Sequence, residues 1–125
     1  MPVFVVFGAD GDTKREDHRI KHERDNRALL KLLGVGGDAF PAANLVGKNY
    51  AVWATSLTKS VRADFPNKEL CGFLNLSRQN YAHEGGLEKH ELFIADWLTA
   101  ASEAGFKSAT IADLVKAILG FAQSI

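Results

Sequence analysis

The chain has 125 residues, with 15 basic and 15 acidic side chains and no formal net charge. That length suits one domain with a sizeable core and leaves no room for two. Zero net charge excludes the simplest ground for nucleic-acid binding, a strongly basic whole domain, while leaving a local basic face open.

Val3 to Phe7 is β-branched and aromatic without alternation, so it reads as a strand covered on both faces, the habit of parallel sheets. It runs into a short loop, Gly8-Ala9-Asp10-Gly11-Asp12-Thr13. From about Lys14 to Leu33 the spacing predicts a helix, densely charged in its first half and apolar at Ile20, Leu29, Leu30, Leu32 and Leu33. Gly34 is its stop signal. Phe40-Pro41 lies in the following loop, and Asn49 to Thr55 forms a second buried strand. Strand, helix, strand reads as a βαβ unit with a right-handed crossover.

Leu57 to Phe65 predicts a short helix stopped by Pro66. Residues 67–80 are undecided between a short strand and a turn of helix. Leu87 to Ala104 is a helix closed by Gly105, and residues 108–122 form a last helix, with Thr110 and Asp113 spaced as a capping pair. Tyr50, Trp53, Phe93 and Trp97 are expected in the core. Two strands make a thin parallel sheet, so the chain reads as part of a larger α/β domain. An unpaired apolar strand edge predicts self-association, or a partner that supplies a strand.

Cys71 stands alone, which rules out an intrachain disulfide, fits a cytoplasmic setting and predicts a buried small side chain. No leader is visible. No stretch approaches the ~20 apolar residues of a membrane span, so no membrane partner is expected.

The acidic loop carries the chemistry. In open α/β sheets, ligands bind beyond the carboxyl ends of the strands, which is where residues 8–13 fall. Asp10 and Asp12 can present oxygens to Mg²⁺, or to Mn²⁺ in its place. The plainer reading is a turn at Asp10-Gly11, with Asp12 or Thr13 capping the next helix. A haloacid-dehalogenase-like phosphatase would need Asp-x-Asp-Gly-Thr here. Its nucleophile position is Gly8, and Asp12 intrudes before Thr13.

Residues 14–27, KREDHRIKHERDNR, hold more basic than acidic groups. Asp17–Lys21 and Glu23–Arg27 have the favourable acid-first order for a solvated, self-paired face. Arg15, Arg19 and Lys21 lie close enough to the loop to contact a nucleic-acid backbone. His18, His22 and Asp25 share a face, a spacing that zinc also uses. His22 and Asn26 are expected to hydrogen-bond to neighbouring loops. His83 and Glu84 are exposed candidates for substrate contact.

Residues 4–34, FVVFGADGDTKREDHRIKHERDNRALLKLLG, resemble the Toprim segment of ATP-dependent endonucleases of the overcoming-lysogenization-defect family. The matching features are Gly8-x-Asp10, then His22, Asp25 and Asn26, then Leu29 to Leu33. The resemblance continues through Phe40-Pro41, residues 47–62 and residues 85–98. It implies a single Toprim-like (Rossmann-like) partial domain over residues 1–125: a short parallel sheet with a βαβ unit and flanking C-terminal helices. It also implies a Mg²⁺-dependent nuclease module that cleaves DNA phosphodiesters. Asp10 and Asp12 would hold the metal, Asp10 and Lys89 would be catalytic, and an ATPase domain or partner chain would complete the site. The sequence departs from the family at Gly8, where the first acid of the pair belongs, and an early glutamate is not found. The isolated chain is therefore expected to bind metal weakly and to be incomplete as a nuclease. An aspartate placed at position 8 is expected to tighten metal binding at little cost in stability. The alternative is a non-catalytic interaction or nucleic-acid-binding module.

Overall fold

The apolar run that begins the chain becomes strand β1 (Val5–Gly8), and the charged stretch after it becomes helix α1 (Glu16–Leu32). They belong to a computed structural model that describes residues 2–81 and 91–125. Among the described residues there are three strands and five helices, a mixed α/β architecture. The chain divides into two compact units: Met1–Leu57 with Ile111–Ile125, and Thr58–Thr110.

In the first unit, β1 pairs in parallel with β3 (Tyr50–Trp53), Val5 opposite Tyr50 and Gly8 opposite Trp53. This is the expected βαβ pair. A third strand, β2 (Leu45–Val46), lies antiparallel on the other side of β3. The sheet is therefore mixed rather than wholly parallel, in the order β1-β3-β2. Two residues are too few to show a period, which is why β2 escapes sequence reading.

Alternation along the strands sends Phe7, Ala9, Leu45, Tyr50 and Val52 toward Leu30 of α1, forming one small core. Helix α1 buries only Asn26 and Leu30, while Ile20 and Leu32 are exposed. Its end follows the glycine rule: Gly34 has φ +70°, and the Val35 N–H reaches back to the Leu30 carbonyl at 2.9 Å. Helix α5 (Ala109–Gln123) contributes Phe121, whose ring meets Phe4 edge-on at 5.6 Å. Strand β1 is not covered on both faces as expected. Val6, on a side-chain position that alternates with the core-facing Phe7, and Val3 before the strand are about half exposed, and β1 is also an edge strand of the sheet.

The second unit is helical. Helix α2 (Leu57–Ala63) is followed by α3 (Asn67–Asn80), which resolves residues 67–80 as helix with Pro66 at its N-cap. Leu70, Leu74 and Ser77 make the buried stripe of α3 at helical spacing. Cys71 falls off that stripe and is exposed, contrary to expectation. Helix α4 (Glu91–Glu103) supplies Phe93 and Trp97, both wholly buried, and Phe65 meets Trp97 edge-on at 5.6 Å. Trp53 is buried as expected, and Tyr50 half-buried.

The expected Thr110–Asp113 cap is replaced by a longer-range one. Asp64 Oδ2 accepts the Ser108 hydroxyl at 2.6 Å and the Thr110 N–H at 2.8 Å. Burial pushes the Asp64 carboxyl up, but the hydrogen bonds from Ser108 and Thr110 outweigh it and hold the pKa below the usual carboxylate range. A depressed folded-state pKa adds stability above the unfolded value, and that stability is lost as pH falls through the folded one. Asp64→Ala is expected to cost about 1 kcal/mol at neutral pH. The difference from the parent chain should shrink as pH falls below about 4. Denaturant melts of both proteins across that range check it, and a constant difference would refute the role of Asp64.

Candidate functional site

The loop beyond β1 is held by backbone before any side chain acts. The Ala9 N–H donates to the Trp53 carbonyl at 2.8 Å, Asp10 N–H to Thr55 at 3.0 Å, and Gly11 N–H to Ala54 at 2.9 Å. The parallel pairing of β1 and β3 thus continues into the residues that follow both strands. This approach is too close for side chains at two positions. A Cβ on Gly8 would stand 2.6 Å from the Thr55 carbonyl oxygen, and one on Gly11 2.8 Å from that of Ala54. The low cost expected for an aspartate at position 8 is therefore corrected: the glycine makes room for backbone.

Asn26, 4% exposed, fastens the loop from below. Its Nδ2 donates to the carbonyls of Ala9 and Ala39, each at 2.9 Å. Both neighbours are acceptors, so the amide can face them only through its nitrogen. Arg19 closes the other side. Its Nη1 donates to the Gly11 carbonyl at 3.1 Å and the Thr13 carbonyl at 3.3 Å, and its guanidinium lies 4.1 Å from the centre of the Phe40 ring.

Asp10 is the site's strained residue, with φ 54°, a left-handed conformation uncommon outside glycine. Its carboxylate Oδ2 lies 3.8 Å from His22 Nδ1, and both side chains are partly open to solvent. Asp12 is exposed in the same loop. Helix α1 starts without a side-chain cap, with Arg15 at its N-cap, so neither Asp12 nor Thr13 plays the capping role.

The candidates from sequence separate accordingly. Asp10 and Asp12 share the loop, and Asn26 hydrogen-bonds into it as expected, whereas His22 lies 3.8 Å from Asp10, too far for the expected hydrogen bond. Arg19 holds the loop's own carbonyls instead of facing outward. Arg15 is exposed and pairs with Asp17 at 2.7 Å, and Lys21 is exposed. Asp17 also lies near His18, while Arg27 pairs with Glu23 as expected, at 2.8 Å. Lys89, His83 and Glu84 lie outside the described residues. Sequence reading missed Asn44, whose Oδ1 accepts the Ala54 N–H at 2.9 Å, and Phe40 beneath Arg19. Neither contact leaves a local signal, since each joins residues many positions apart.

Among the described residues, no three His, Cys, Asp or Glu side chains come together as a metal cage. The zinc face of His18, His22 and Asp25 is not assembled. Two carboxylates on a solvent-open loop fit a hydrated hard cation that keeps most of its water. No family model, curated protein or solved structure matches the chain. Among the described residues, no helix is long and apolar enough to cross a membrane.

Proposed function

We propose that the chain is a Toprim-like module of an endonuclease of the overcoming-lysogenization-defect type, working in the cytoplasm on the DNA backbone with Mg²⁺ or Mn²⁺. The observation that carries this reading is the position of Asp10 and Asp12: one loop, beyond the carboxyl end of a strand paired in parallel with β3. The sequence resemblance from residue 4 to residue 98 supports it. Asp10 and Asp12 hold the hydrated cation, and His22 orients the Asp10 carboxylate. Arg15, at the N-cap of α1, and Lys21, on the helix, are exposed and attract the phosphate backbone. The cation, when bound, polarises a phosphate and acidifies water. Lys89 and groups from an ATPase domain or partner chain complete cleavage.

A second reading, a binding module without catalysis, draws support from Gly8. The position where the resemblance asks for the first acid is closed by the Thr55 carbonyl. Full nuclease activity of the isolated chain is therefore not expected.

Titration with Mg²⁺ and then Mn²⁺, followed by NMR, tests the shared premise. The Asp10 and Asp12 signals should move progressively, with half-saturation above about 1 mM, as two carboxylates without a third give. Signals unchanged at about 50 mM metal would reject the site, and both variants Asp10→Asn and Asp12→Asn should weaken it. Metal-dependent cleavage of labelled DNA in the same buffers would decide for the nuclease reading, whereas binding without cleavage is expected of the isolated chain under both.

A further inference from the structure

Most backbone oxygens of the loop beyond β1 already have protein donors. The Asn26 amide donates to the Ala9 carbonyl at 2.9 Å, and the Thr13 N–H donates to that of Asp10 at 3.0 Å. Arg19 Nη1 donates to the carbonyls of Gly11 and Thr13, at 3.1 Å and 3.3 Å. These contacts are not equivalent. A carbonyl that accepts one neutral N–H keeps a second lone pair for another partner. A guanidinium brings a permanent positive charge to the oxygen, and a second cation is repelled there. The charge is also held in place, with the guanidinium 4.1 Å from the centre of the Phe40 ring.

The two residues whose carbonyls Arg19 holds, Gly11 and Thr13, flank Asp12 in the chain. Arg19 and His22 are three positions apart on α1, so they are neighbours on one face of the helix. His22 Nδ1 lies 3.8 Å from Asp10 Oδ2. One face of α1 therefore meets both the Asp10 carboxylate and the two carbonyls. That distinction matters for the choice of cation. Ca²⁺ takes about six to eight oxygens, backbone carbonyls among them, whereas Mg²⁺ keeps several waters and needs only one or two carboxylates.

We propose that Arg19 sets the cation preference of this loop. Its guanidinium occupies the carbonyl oxygens that Ca²⁺ would need and leaves the carboxylates, a set that suits Mg²⁺ or Mn²⁺. The inference rests on the metal-loop reading above, and its test separates the two.

The full chain, Arg19→Met and Arg19→Lys are titrated with Ca²⁺ alone and with Mg²⁺ alone, followed by amide and carbonyl-carbon NMR signals of residues 10–13. Methionine keeps an apolar stem over Phe40 and removes the charge, while lysine keeps the charge. Arg19→Met should tighten Ca²⁺ binding about tenfold or more and Mg²⁺ binding about threefold at most. Ca²⁺ should shift the Gly11 and Thr13 carbonyl signals in that variant, and in neither the parent nor Arg19→Lys. A loosened loop would weaken both metals together, so the ratio of the two affinities is a readout that a merely structural role does not move. If Arg19→Met melts sharply lower, Arg19→Gln takes its place. It keeps a neutral N–H donor, which leaves the second lone pair open, so it should show the same gain. A ratio unchanged in both neutral variants would overturn the proposal, as would a parent chain that prefers Ca²⁺. A parent that binds neither metal, with a neutral variant that gains Ca²⁺, would reject the metal-loop reading and uphold the role of Arg19.

Discussion

Gly8→Asp is expected to destabilise the protein by about 1–3 kcal/mol without creating a tight metal site. The added Cβ would begin 2.6 Å from the Thr55 carbonyl oxygen, with Ser56 Cα at 3.2 Å behind it. Both obstacles are backbone, so neither can rotate aside. Relief requires the segment after β3 to move away, which stretches the Asp10-to-Thr55 and Gly11-to-Ala54 hydrogen bonds. The carboxylate would also face a carbonyl oxygen, a repulsive neighbour for a negative charge. Gly8→Ala separates these contributions. Alanine should lose most of the same stability, because the Cβ carries the clash, and aspartate should lose more. At about 3–5 °C per kcal/mol, thermal melts resolve the series. An aspartate variant that melts like the parent and binds Mg²⁺ tightly would show that the loop is pliable and that position 8 was shaped for an acid.

That outcome bears on how the sequence is read. Local features were legible. Gly34 and Gly105 end helices with φ of +70° and +92°, and the Tyr50–Trp53 strand lies inside the apolar run that announced it. The hydrogen bonds of Asn26 to the loops beside α1 were likewise anticipated, while those expected of His22 did not form. What failed was decided by distant parts of the chain. Gly8 reads as a missing acid until the Thr55 carbonyl is known to lie against it. Arg19 reads as a free cation until Gly11, Thr13 and Phe40 are seen to surround it. The cap of α5 comes from Asp64, far from any capping box around Thr110. Cys71 reads as buried until α3 has a phase, and the stripe of Leu70, Leu74 and Ser77 then turns it outward. In each case composition and spacing specify an element, while the partner that fixes a residue's role belongs to another element.

Asn26→Ala should be the most damaging single polar change in the first unit, at about 2–4 kcal/mol. Two buried carbonyls, of Ala9 and Ala39, would lose their donor together, and the methyl group left behind cannot admit them to bulk water. The two carbonyls belong to different loops, so the amide also ties the segment after β1 to the segment before β2. Its loss should loosen both, with faster amide exchange at Gly11 and around Ala39 before global unfolding. Asn26→Asp sharpens the test because it keeps the shape and removes the donors. At neutral pH its carboxylate would face two carbonyl oxygens, so it should be at least as unstable as the alanine variant. Under acid conditions the protonated carboxyl regains one donor, and part of the loss should return. The stability of Asn26→Asp relative to the parent should therefore improve as pH falls, reversing the usual acid sensitivity of a carboxylate. If both variants melt within about 0.5 kcal/mol of the parent, the amide is not what holds the loop. The positioning of Asp10 and Asp12 would then rest on the backbone hydrogen bonds to Trp53, Ala54 and Thr55 alone.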